Sequence, residues 1–142
     1  DTAGQERYRS LTTAFFRDAI GFILMFDLTN ENSFVSVRNW IIQLNTHAYC
    51  AHPDIILVGN KLDLTGERTV PFELAKKLAE EYDLKYIETS TLTGVGINQC
   101  IDILLELVFQ RMDKVVNRAI LPIRKRGETV KCNKKSSSNF CC

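Results

Sequence analysis

The chain has 142 residues, 45% hydrophobic and 25% charged, a composition that suits one globular domain with a sizeable core. Its longest apolar runs, such as Ala19 to Phe26, fall well short of the roughly 20 residues that span a bilayer, and Asp1 to Arg9 lacks the apolar stretch of a secretory signal. The net charge of +1 hides a basic tail: from Pro122 onward six Lys or Arg face one acid, Glu128, so the tail is +5 and the rest −4. This favours an anionic surface as the tail's partner and argues against nucleic acid, for which the body has no basic face.

Asp1 to Ser10 is polar and reads as a loop, and Leu11 to Asp18 as a short helix. Ile20 to Phe26 is a continuous apolar run of a length that suits a strand buried on both faces. Thr29 or Asn30 can cap the next helix, whose apolar stripe is Phe34, Val37, Trp40, Ile41 and Leu44. Asp54 to Asn60 reads as a second buried strand. A helix follows with Pro71 at its first position and Leu74, Ala75, Leu78 and Ala79 as its stripe. Lys85 to Glu88 is a short third strand. The loop Thr91 to Gly96 leads to a long helix with Ile97, Ile101, Leu104, Leu105, Val108 and Met112 inward. Strand and helix alternating three times imply an α/β fold with a parallel sheet and crossover helices. Ligands of such sheets bind beyond the carboxyl ends of the strands. After Pro122 the periodicity stops, and the Lys-, Ser- and Asn-rich tail reads as disordered.

The five cysteines, Cys50, Cys100, Cys132, Cys141 and Cys142, show no disulfide framework and no zinc-ligand spacing. They fit a reducing compartment. His47 and His52 read as isolated surface residues.

Four motifs carry chemistry. Asn60-Lys61-Leu62-Asp63 follows the second strand. A carboxylate there can accept hydrogen bonds from a ring N–H and an exocyclic amine, a pair that guanine presents and adenine does not. A lysine stem can cover the base, and an Asn can tie loops together. Taken alone the motif is also a polar turn after a strand. Glu88-Thr89-Ser90 ends the third strand, where a small hydroxyl can hold Asp63 and the backbone N–H groups of Thr91 and Leu92 can reach the guanine oxygen. In Asp1-Thr2-Ala3-Gly4-Gln5-Glu6, an Asp can hold water on Mg²⁺, a Gly lets its N–H approach a terminal phosphate, and a Gln can orient an attacking water. Read alone, this stretch is equally a solvated polar loop. Cys141-Cys142 behind a basic segment offers two lipid-anchor sites, and stable anchoring takes two signals. It is not a C-a-a-X box, and the alternative is a flexible tail with two free thiols.

Together these stretches resemble the Rab family of small GTPases. Asp1 to Glu6 is similar to its DTAGQE switch II, Asn60 to Asp63 to its NKxD, Glu88 to Ser90 to its ETS loop, and Cys141-Cys142 to its doubly geranylgeranylated endings. Phe15 to Asp18, Val37 to Trp40 and His47 to Cys50 look closest to the subgroup acting on secretory granules, melanosomes and lysosome-related organelles. The resemblance runs to about Arg118. It implies a P-loop-NTPase-like three-layer sandwich, with residues 1–118 a partial G domain and 119–142 a flexible hypervariable tail.

The implied ligands are GTP or GDP and Mg²⁺. By resemblance, Asp63 and Asn60 bind the two edges of guanine, Lys61 covers base and ribose, and Ser90 braces Asp63. Asp1 holds Mg²⁺ through water, Gly4 donates to the γ-phosphate, and Gln5 positions the attacking water. Cys141 and Cys142 carry prenyl groups. The implied partners are effectors, an exchange factor, a GTPase-activating protein, a prenylation escort and an anionic membrane, on the cytosolic face of secretory vesicles or lysosome-related organelles. The chain departs from the family in having Thr91-Leu92 where Ala-Lys or Ala-Ala is usual. No GxxxxGK[ST] loop occurs in the 142 residues, nor does the effector loop with its Mg²⁺-binding Thr, so the expectation is a chain lacking the N-terminal strands and P-loop and inactive alone. The sequence thus implies a GTP-hydrolysing switch in vesicle traffic and regulated exocytosis. Its alternatives are a non-catalytic, membrane-anchored module that binds effectors or an escort, and an α/β domain with no nucleotide role.

Overall fold

The structure, a computed structural model, describes Phe16 and residues 19–48 and 53–126, the last nine of these by backbone alone. The expected loop at Asp1–Ser10, the helix at Leu11–Asp18 apart from Phe16, His52, and the tail beyond 126 lie outside the described residues.

Three strands, β1 (Gly21–Asp27), β2 (Asp54–Asn60) and β3 (Lys85–Glu88), form a parallel sheet in that order. Gly21 stands opposite Asp54 and Asp27 opposite Asn60, while Ile56 stands opposite Lys85 and Gly59 opposite Glu88. This register brings the carboxyl ends of the strands together at one edge of the sheet. The first crossover contains α1 (Glu31–His47), the second α2 (Phe72–Glu81), and α3 (Ile97–Arg126) follows β3. Asn30 caps α1: its side-chain oxygen accepts from the N–H groups of Asn32 at 3.0 Å and Ser33 at 3.3 Å, satisfying donors that the first turn leaves open.

β2 shows why the continuous apolar run is needed. Ile55 and Leu57 face one side, packed with Leu24, Phe26, the α1 stripe Phe34, Val37, Ile41 and Leu44, and Ala75, Leu78 and Ala79 of α2. Ile56 and Val58 face the other, with Ile87 and with Cys100, Ile103, Leu104 and Leu107 of α3. Helices thus flank the sheet on both faces at β2, the α/β class the sequence implies, whereas β1 is not buried on both faces as expected: Ile23 and Met25 on one face are 44% and 50% exposed. Trp40 packs at the margin of the first cluster. No helix of the described residues is long and apolar enough to cross a membrane.

Several expectations are corrected. Leu74 is 46% exposed, since the narrow face of α2 is filled by Ala75, Leu78 and Ala79. On α3, Ile101, Leu105 and Met112 are about half exposed, at 46%, 48% and 51%. The helix carries two adjacent apolar stripes, and the three described strands cover the one through Cys100, Ile103, Leu104 and Leu107. Pro71 is the N-cap of α2, extended at ψ 146°, not its first helical residue. Helix α3 continues through Pro122 to Arg126. The described residues up to Phe109 belong to one compact unit, and the described part of the second is the remainder of α3.

Candidate functional site

Beyond the strand ends the backbone continues the ladder. Leu28 N–H donates to Asn60 O at 3.0 Å, Thr89 N–H to Gly59 O at 2.8 Å, and Leu62 N–H to Thr89 O at 3.0 Å. The loop after the 3-10 turn (Thr65–Glu67) is held in turn by Thr69 and Val70, whose N–H groups donate to Leu28 O at 2.9 and 3.1 Å. Loops following all three strands therefore meet at one place.

That place holds six of the residues the sequence singled out: Asn60, Lys61, Asp63, Ser90, Thr91 and Leu92. Ser90 is 1% exposed, and its hydroxyl donates to Asp63 Oδ1 at 2.5 Å while accepting Thr93 N–H at 3.1 Å. Among the described residues Asp63 Oδ2 accepts no hydrogen bond, so the carboxylate is held by one oxygen and free to accept at the other. Asn60 Oδ1 accepts the Thr89 hydroxyl at 3.4 Å and the Thr91 N–H at 3.1 Å, so that N–H, expected to face a base oxygen, is bonded to Asn60 instead. Asn60 Nδ2 donates to Thr91 Oγ1 at 3.3 Å. Leu92 stands in solvent, 82% exposed.

The left-handed region, which non-glycine residues seldom enter, appears at Lys61, with φ +69°. The Lys61 ammonium lies 2.6 Å from Asp27 Oδ2, and Asp27 Oδ1 accepts from the Thr29 N–H and hydroxyl at 2.8 and 2.7 Å. Burial alone would raise the Asp27 carboxyl. The hydrogen bonds from Lys61 and Thr29 outweigh it and hold the group below its ordinary 3.8. The same pair raises Lys61, so the ion pair is charged at neutral pH and fixes where the lysine stem runs.

A second network supports the loops from behind. Arg68 Nη1 donates to Glu88 Oε2 at 3.0 Å, its Nη2 donates to Glu88 Oε1, and its Nε donates to Val70 O at 2.8 Å. The Tyr86 hydroxyl donates to Glu88 Oε1 at 2.7 Å. Burial, and then its bond to Glu88, push the Tyr86 phenol far above its usual range, so it acts as a permanent donor. At the end of the loop between β3 and α3, Gly96 has φ +75°, and a Cβ there would lie 2.4 Å from Glu88 O. Only glycine closes this turn without displacing backbone.

Asp27, Arg68 and Tyr86 were not singled out as site residues from the sequence, and Glu88 and Thr89 only as members of the motif ending in Ser90. Asp27 had one usable signal, a lone carboxylate at the carboxyl end of an apolar run. Arg68 had none, since its partner stands twenty positions away. Asp1, Gly4, Gln5, Cys141 and Cys142 lie outside the described residues. Among the described residues no group of three or more His, Cys, Asp or Glu can hold a metal ion.

Chemically, the cluster offers a braced carboxylate, a carboxamide with one remaining N–H, and an aliphatic stem between them. This set can take a planar heterocycle with donors on one edge and an acceptor on the other. Residues 1–110 match the Ras family. The chain is 57% identical to Ras-related protein Rab-27A of Rattus norvegicus over 132 residues, 91% of this chain and 60% of that protein. It is 59% identical to Rab-27A of Homo sapiens over 122 residues, 86% of this chain and 55% of that protein. With Rab-27B of Homo sapiens the identity is 53% over 122 residues, 86% and 56% of the two chains. The chain therefore spans between 55% and 60% of the length of these relatives.

Proposed function

This chain belongs to the Ras family, and we propose that it serves a Rab-type guanine-nucleotide switch in vesicle traffic, its loops beyond β2 and β3 recognising the base of GDP and GTP. The observation that carries this reading is the Ser90–Asp63 bond, which presents a carboxylate with one oxygen braced and the other open. Asp63 accepts from the ring N–H and the exocyclic amine of guanine. Bonds to a charged acceptor contribute about 1.5–3 kcal/mol each, so two of them favour guanine over adenine by about 10²- to 10⁴-fold. Asn60 donates its remaining N–H to the other edge of the base. Lys61, tethered at its ammonium by Asp27, lays its stem across the ring and ribose.

The remaining roles rest on motif resemblance. Asp1 supports Mg²⁺ through water, Gly4 donates to the γ-phosphate, and Gln5 orients the water that attacks it. GTP and Mg²⁺, when bound, supply the scissile phosphoanhydride and the charge neutralisation for its hydrolysis to GDP. Cys141 and Cys142, prenylated behind the basic tail, anchor the protein to an anionic leaflet. Secretory vesicles or lysosome-related organelles are the membranes this reading favours, since the similarity is to Rab-27A and Rab-27B. Effectors, an exchange factor, a GTPase-activating protein and a prenylation escort are the corresponding partners.

The test is titration of the full chain as the cell makes it with labelled GDP, in competition with unlabelled GDP and ADP. GDP is expected to compete at least about 100-fold better than ADP, and Asp63→Ala to abolish that preference. Equal competition by ADP would overturn the base assignment. Mass spectrometry of the protein from cells is expected to show two prenyl groups, and unmodified terminal cysteines would remove the anchor.

A further inference from the structure

We infer that Thr91 is a positioning residue whose side-chain hydroxyl steadies the Asn60 carboxamide, in the orientation its backbone N–H sets, for the imidazole edge of the base, a reading that rests on the guanine site proposed above. The geometry fixes the orientation without ambiguity. The Thr91 N–H can only donate, so the end of Asn60 that meets it at 3.1 Å is the oxygen. The other end is then the nitrogen, and it meets Thr91 Oγ1 at 3.3 Å. One residue therefore closes on both ends of one amide. The Thr89 hydroxyl adds a third bond at 3.4 Å, also to the oxygen.

Backbone bonding to Asn60 Oδ1 is open to any non-proline residue at position 91, because it uses only the N–H. The bond to Nδ2 needs a hydroxyl. Alanine, which the resembling family usually carries there, supplies none. Nδ2 has two hydrogens, and Thr91 takes one. The second is left for an acceptor of the ligand, and on guanine the ring nitrogen N7 is the acceptor on that edge. Rotation of the carboxamide by half a turn would set its NH₂ against the Thr91 N–H and its oxygen against N7. The Thr91 N–H opposes that flip, having no acceptor in the flipped amide, and the hydroxyl adds a second bond that steadies the amide once the N–H has set its orientation. Pre-ordering a group before the ligand arrives removes part of the cost of binding.

The test uses the full chain with Thr91→Val, which keeps the volume and removes the hydroxyl, and Thr91→Ser, which keeps it. One neutral hydrogen bond corresponds to roughly a 2- to 10-fold effect. Thr91→Val is expected to weaken GDP binding by about that factor, chiefly through faster release, and Thr91→Ser to restore it. With 7-deaza-GDP, which lacks the N7 acceptor, the wild type and Thr91→Val are expected to bind alike. An equal loss with both nucleotides would overturn the positioning role, as would a Thr91→Val protein that binds GDP like the wild type. Failure of the wild type to bind GDP would overturn the base-binding reading instead. The clamp is then judged by the Asn60 side-chain NH₂ resonances: slow rotation in the wild type and Thr91→Ser but fast in Thr91→Val sustains it, and identical rotation in all three refutes it.

Discussion

Replacing Arg68 by Met should cost more stability than the same change at an exposed arginine such as Arg38. Arg68 makes two bonds to the Glu88 carboxylate and one to Val70 O, and the two side chains are only 26% and 13% exposed. Removing one member of a buried pair costs about 3–5 kcal/mol, and partial exposure here reduces that to about 2–3 kcal/mol. Glu88→Leu should cost a similar amount, for it strands the guanidinium and also the Tyr86 hydroxyl. The double variant leaves no unpaired charge, so its loss should fall short of the sum of the singles by at least about 1 kcal/mol. Urea unfolding followed by fluorescence reads the wild type and all four variants, because Trp40 is the single tryptophan and packs on the core. Losses that add to within about 0.5 kcal/mol would show that the pair is not coupled and refute the reasoning.

Gly96→Ala is expected to destabilise by about 2 kcal/mol or more, combining a left-handed φ with a contact on Glu88 O. Gly94→Ala, at φ +81° with nothing within 4 Å, should cost only about 1 kcal/mol, and equal losses in thermal melts would show that the contact does not matter. The folded-state Asp27 carboxyl sits below its ordinary 3.8, so its contribution is full above that value and is lost as pH falls toward the lowered one. The gap in unfolding midpoint between wild type and Asp27→Asn should therefore be constant near neutral pH and close below pH 3.8. A gap that persists into strong acid would count against the Lys61–Asp27 pair.

The bounds of β2 were legible because a strand covered on both faces writes itself as an unbroken apolar run, and Ile55 to Val58 is one. The stripe of α1 was legible because a single sheet face receives it. α3 was harder. Ile101 and Leu105 stand beside Cys100 and Leu104 on the same helix, and periodicity alone does not say which row meets the strands. At the site, Asn60, Lys61, Asp63 and Ser90 were visible as short contiguous motifs. Asp27 and Arg68 act through partners more than nineteen positions away, and a linear pattern carries no trace of such a meeting.

The bonds that run past the strand ends, from Leu28 to Asn60 and from Leu62 to Thr89, give the loops a kinetic character as well as a place. Surface loops ordinarily open in small, inexpensive fluctuations of their own. These share hydrogen bonds with β2, whose Ile56, Leu57 and Val58 are wholly buried. Parting them also breaks bonds at the carboxyl end of β2, such as Leu28 N–H to Asn60 O and Thr89 N–H to Gly59 O, so they should open less often than untethered loops. A base held between them would meet walls that yield less readily than free surface loops do.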